Sequence, residues 1–175
     1  MNRALNLDEL SGALARKGVT VQFFDYSELP KDYYILASLL LTNPPRFLFF
    51  ERSTSGDIGH WTALKRSGTH IFWFSSYGFM PDGELMVSAQ LRGHPGQGIN
   101  KISRALKYLD SRGFTIHYSA IPLQVTSVPT QSCGAWCYYF LVSKFKDYEK
   151  FEERLSNITC PERFISAIYK NDFSG

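Results

Sequence analysis

Three closely spaced runs constrain the fold of this chain more than any other feature: RFLFFER from Arg46, HWTALKR from His60 and HIFWFSSYGF from His70. Each is rich in strand-favouring residues, and turn-prone segments containing STSGDIG and SG separate them, so they predict adjacent antiparallel strands. Their apolar residues are nearly continuous instead of alternating. That pattern belongs to a sheet covered on both faces, and it requires helices on each side.

The flanking sequence supplies those helices. Asn6 followed by Leu7, Leu10 and Leu14, with Lys17 near the end and Gly18 beyond it, predicts a short amphipathic helix. VQFFDYSELP from Val21 reads as a strand closed by Pro30, while YYILASLLLTN from Tyr33 has no clean period and fits either helix or strand. Asn100 is placed to cap a helix carrying Ile102, Ala105, Leu106 and Leu109 and stopped by Gly113. TIHYSAIPLQV follows as a strand, after a loop-rich stretch from Met80 to Gly98. From Cys133 to about Leu155 the aromatic spacing predicts one long helix, and a last helix starts at Pro161 and ends at Tyr169. The expected architecture is α+β, with a central mixed or antiparallel sheet packed between helices, and one domain spanning residues 1–175.

With 175 residues, 44% of them apolar, the chain can bury a full core. A net charge of +3 without any Lys/Arg run, and without basic residues interleaved among the aromatics, gives no support to a nucleic-acid partner. Three cysteines, Cys133, Cys137 and Cys160, do not make a disulfide framework and point to a reducing compartment. Charges interrupt the N-terminal segment where a signal peptide would be apolar, and the longest apolar run is too short to span a bilayer. The expectation is a soluble, intracellular monomer with no membrane partner, cofactor or metal; Cys133 and Cys137 lack the second Cys/His pair that a zinc site needs.

Cys133 is the residue most suited to chemistry. A thiol in the first turn of a helix faces unpaired N–H groups and the positive end of the dipole, which favour the thiolate. Gly134 removes a side chain where a substrate backbone must come close, and Gln131 and Ser132 give a polar approach. Cys137, one turn later, faces a similar direction but lies deeper. The alternative for Cys133 is an inert buried thiol, the commoner fate of free cysteine. Among four histidines, His60 is the best base, at a loop-to-strand junction with Trp61 packing behind it. His70 belongs at the far end of the hairpin, His94 in a Gly/Pro loop, and His117 within a strand as a packed or solvent-facing residue.

In order, Gly59-His60-Trp61-Thr62-Ala63-Leu64, Phe72-Trp73-Phe74-Ser75-Ser76-Tyr77-Gly78-Phe79, Gln124 and Cys133-Gly134-Ala135-Trp136-Cys137 resemble the adenovirus maturation protease family. Its relatives include proteases of virophages and of Polinton/Maverick elements and, more distantly, the SUMO-specific proteases. The likeness covers roughly residues 25 to 145. It implies an adenain-like, papain-like core with the nucleophile at the N-terminus of a long helix against the sheet.

The resemblance also implies peptide hydrolysis through a thioester, with Cys133 as nucleophile and His60 as base and then acid. Gln124 matches the glutamine that helps stabilise the oxyanion; the alternative is an ordinary strand-end glutamine. It lies further before Cys133 than is usual in the family. Trp61 would wall a narrow substrate tunnel, which favours small residues such as Gly beside the cut; the alternative is core packing, and the two are compatible. Where the family has Asp or Glu after the second strand, this chain has Ser75, whose hydroxyl can fix the imidazole tautomer but brings no charge. A Cys-His dyad with Ser75 as orienter is preferred; the alternatives are reduced activity or a carboxylate from Asp57, Asp82 or Glu84.

The implied partner is a polypeptide: a viral capsid or virion precursor, or a ubiquitin-like fusion if the chain acts as a deubiquitinase or deSUMOylase. A catalytically weak binding or virion structural protein is the reading from outside enzymology. The implied location is the host cell interior, in cytoplasm, viral factory or nucleus, or packaged in the virion.

Overall fold

The computed structural model describes residues 4–52, 59–82, 100–119, 121–124, 132–145 and 147–173. The first helix, α1 (Leu7–Arg16), begins where the sequence predicts, on a capping box. The Asn6 side chain accepts from the Glu9 N–H at 2.9 Å, and the Glu9 carboxylate accepts from the Asn6 N–H at 3.4 Å. Strand β1 (Gln22–Asp25) leads through a short turn to α2 (Tyr33–Leu40), so the ambiguous apolar run is a helix.

The three aromatic runs form β2 (Arg46–Arg52), β3 (Gly59–Ser67) and β4 (His70–Phe74), paired antiparallel as predicted. β1 and β5 (Thr115–Tyr118) complete a five-stranded sheet in the order β1-β2-β3-β4-β5, each joining by a parallel pairing. The sheet is therefore mixed, and the fold is α+β. Helix α3 (Lys101–Ser111) precedes β5, and α4 (Cys133–Val142), α5 (Tyr148–Ser156) and α6 (Pro161–Ile168) follow it.

Both faces of the sheet are buried, as the continuous apolar strands require. On one face Leu48, Trp61, Ala63, Phe72 and Phe74 meet α1, α4, α5 and α6. On the other Phe47, Phe49, Leu64, Ile71 and Trp73 meet α2 and α3. Among the described residues no helix is long and apolar enough to cross a membrane.

Two expectations about helices are corrected. The long helix from Cys133 to Leu155 is two: α4 ends at Val142, and Asp147 caps α5 by accepting from the Glu149 N–H at 3.0 Å. The nucleophile candidate thus begins a ten-residue helix and not a long one. Asn100 occupies the cap position of α3 without a side-chain bond; Asp82 takes that role instead, accepting from the Ser103 N–H at 2.7 Å and the Ile102 N–H at 3.4 Å.

Helix α4 runs alongside β3 and is fastened to it at both ends. Ten residues rise about 15 Å, close to the roughly 13 Å from Trp61 to Lys65 along a strand. At the start, the Trp61 N–H donates to Cys133 Sγ at 3.5 Å. At the finish, Lys65 Nζ donates to the carbonyls of Phe140 at 2.8 Å and Ser143 at 2.7 Å, satisfying orphan groups of the last turn.

Candidate active site

Alternation along β3 decides which residues share a space. Trp61 points to the α4 face, where its indole packs on Phe50 and Phe23 and its Nε1–H donates to the Leu5 carbonyl at 3.0 Å. Gly59 belongs to the same face, directly under the Phe50 ring, where an added Cβ would lie 1.9 Å from Phe50 Cζ. His60 therefore projects to the other face. It is paired across the strands with Glu51, which shares that face.

The imidazole is buried, with 4% exposed. Its Nε2 lies 3.4 Å from Ser75 Oγ, and its ring stacks on Tyr77 with centroids 4.6 Å apart. Ser75 Oγ also accepts from the Tyr77 N–H at 3.4 Å. Ser75 is thus within reach of the imidazole. Burial pushes the His60 pKa down to about 3, so at neutral pH the ring is uncharged and, in this closed environment, a weak base.

Cys133 begins α4 and is largely buried, with 8% exposed. The sulfur and the imidazole reach the His60–Trp61 peptide unit from opposite faces of the sheet. Cys137 lies deeper, as expected, and its Sγ–H donates to the Trp61 carbonyl at 3.3 Å. Burial, then the neighbouring Cys133 and Glu51 charges, hold the Cys137 thiol well above its ordinary pKa and keep it un-ionised.

Gln124 is brought to the end of β4. Its N–H donates to the Ser76 carbonyl at 3.1 Å, and Ser76 Oγ donates to its Oε1. That second bond fixes the amide with its oxygen on Ser76, so its NH2 group is directed elsewhere and remains a donor by chemistry.

Gly134 is closely packed on its Cβ side. An added Cβ would meet Trp61 Cδ1 at 3.2 Å and Leu5 Cβ and Leu10 Cδ1 at 3.4 Å. The glycine lets α1, β3 and α4 approach one another. Trp61 likewise packs in the core.

Of the carboxylates considered as partners for His60, Asp57 and Glu84 lie outside the described residues, as do Gln131 and His94. Asp82 is described and lines a small cavity with Glu51, His60, Thr62 and Ser75. Glu51 was not among the sequence candidates. It ends an apolar strand run, and only the β2–β3 register identifies its neighbour. His70 sits at the far end of the hairpin as predicted, bonded to His117 with the ring nitrogens 3.0 Å apart.

Among the described residues no group of three or more His, Cys, Asp or Glu is arranged to hold a metal ion. No family model matches the chain, and no curated protein matches it.

Proposed function

We propose that this chain is a cysteine endopeptidase of the adenain-like type, with a papain-like core. The observation that carries the reading is the Cys133 sulfur in the first turn of α4, 3.5 Å from the amide that joins His60 to Trp61. The helix end and that N–H both favour a thiolate. Nε2 of His60 is directed at Ser75, which assigns Nδ1 to the thiol proton; because the imidazole and α4 lie on opposite faces of β3, the transfer requires the ring to turn toward the sulfur when substrate binds. Ser75 as acceptor from Nε2–H would select the tautomer whose Nδ1 can take the thiol proton.

In this reading the Cys133 thiol gives its proton to His60 Nδ1, and the thiolate attacks the substrate carbonyl. The oxyanion is stabilised by the Cys133 backbone N–H and the Gln124 side-chain NH2. As the C–N bond breaks, His60 returns the proton to the leaving amine, leaving a thioester that water hydrolyses with His60 again as base. Polypeptide precursors cut next to small residues such as Gly, in virion maturation, are the substrate class; ubiquitin-like fusions are the alternative. The work would take place inside a host cell or in the particle itself.

Purified protein incubated with Gly-containing precursor peptides and, separately, with ubiquitin-like fusions tests this directly. Cleavage of the peptides that Cys133→Ala abolishes is the expected result. No cleavage of either substrate, with both bound intact, supports a non-catalytic binding protein instead. That second reading is favoured by one observation: the imidazole lies on the face of the sheet opposite α4.

A further inference from the structure

The cavity on the α3 side of the sheet contains more than the Ser75 contact explains. Its volume is about 10 Å³, room for about one water molecule, and Glu51, His60, Thr62, Ser75 and Asp82 line it. All five are buried. The Thr62 hydroxyl, in a residue only 2% exposed, has no hydrogen-bond partner among the described residues, so the cavity holds a polar group waiting to be satisfied.

The two carboxylates in this cavity are not equivalent. Asp82 is committed to α3: it accepts from the Ile102 and Ser103 N–H groups and from the Tyr26 hydroxyl. Glu51 comes from β2, directly across the ladder from His60 and on the same face. Directly opposed residues in an antiparallel pair hold their Cβ atoms about 5 Å apart, within reach of a Glu and a His side chain or of one bridging water.

We infer that Glu51 is the positioning residue that orients His60 and balances its charge when it becomes imidazolium, acting with Ser75 across this cavity. The inference rests on His60 being the base of the proposed peptidase. It moves the acidic partner from the end of β4, where Ser75 stands, to the neighbouring strand on the opposite side of β3. Ser75 then needs only to fix the tautomer, and the charge that a hydroxyl cannot supply comes from β2.

The test is the pH profile of iodoacetamide alkylation at Cys133, followed by peptide mapping with Cys160 as internal reference. The charged or polar groups around the cavity that His60 lines are Glu51 from β2, Thr62 from β3, Ser75 after β4 and Asp82 before α3, with Tyr77 stacked on the ring. Glu51→Gln should move the midpoint of the Cys133 profile upward by about one unit, a fall of roughly tenfold in rate on its acid limb. Adding Ser75→Asp to Glu51→Gln should restore the profile, because a carboxylate is again within reach of Nε2.

Glu51→Asp, which keeps the charge but withdraws it by one methylene, should give an intermediate shift and serves if the Gln variant does not fold. An unchanged profile in Glu51→Gln or Glu51→Asp, with Cys133 still fast and still slowed by His60→Ala, overturns the assignment of Glu51 alone. A Cys133 that reacts no faster than Cys160 in the unaltered protein overturns the peptidase reading beneath it.

Discussion

The two faces of β3 are built on different principles, although they lie one residue apart. On the α4 face, Trp61 and Ala63 enter a wall of rings: Phe74 stacks on Phe140 at 5.0 Å, and Phe140 lies 5.7 Å from Phe151. On the α3 face, the end of the strand turns polar, and His60 and Thr62 meet Glu51, Ser75 and Asp82 around a small cavity. The apolar face fixes a sulfur by packing the helix that carries it. The polar face fixes an imidazole by hydrogen bonds and tolerates groups whose charge depends on pH. In the proposed peptidase the apolar face would supply the rigidly placed nucleophile and the polar face the base.

The largest effect should come from the apolar face. Phe140→Ala removes a fully buried ring at the centre of the stack and should cost about 3–5 kcal/mol in urea unfolding. A loss under about 1 kcal/mol would mean that the stack does not hold α4 against β3.

The second prediction probes the polar face through pH. His60 has a pKa of about 3 in the folded protein against about 6.5 when unfolded. The unfolded chain therefore takes up its proton first. As pH falls from 6.5 towards 3 the folded state loses stability, by about 2 kcal/mol between pH 7 and pH 5. Urea midpoints at those two values check this, and His60→Gln should remove that part of the slope. An equal slope in the variant would place the destabilising titration elsewhere.

The smallest of the three concerns Asp82. Replacing it with Ala removes the cap of α3 and should cost about 1–2 kcal/mol. Because Asp82 is spent on that helix, the Cys133 alkylation profile should keep its midpoint; a shift would mean that Asp82 shares the task assigned to Glu51.

The contrast between the faces was half visible in the sequence. Continuous aromatic runs announce a sheet buried on both sides, and Asn6 with Glu9 announces a helix start, because both signals are local. The parallel pairings of β1 and β5 are long-range and leave no local mark. The break after Val142 was legible in principle, since Asp147 followed by Glu149 is a cap pattern, but the unbroken aromatic spacing from Trp136 to Phe151 masked it.

Within the candidate site, Cys133 and His60 could be singled out from their places at a helix start and a strand start, and Ser75 from the family resemblance; the structure puts Ser75 Oγ 3.4 Å from the imidazole. Glu51 could not, because its neighbour is set by the β2–β3 register, which leaves no mark at Glu51 itself. The packing around Gly134 is hidden for a related reason. The side from which a glycine is approached, by a substrate or by Trp61, depends on how α1, β3 and α4 meet.

The most direct test of the central claim compares two thiols in one molecule. Cys160 is exposed, whereas Cys133 is 8% exposed, so accessibility alone would make Cys160 the faster. With iodoacetamide at pH 6.5, Cys133 is predicted to react first, and His60→Ala should slow it by about tenfold or more while leaving Cys160 unchanged. Cys160 reacting first, with His60→Ala making no difference at Cys133, would contradict the claim that β3 and α4 hold an activated sulfur.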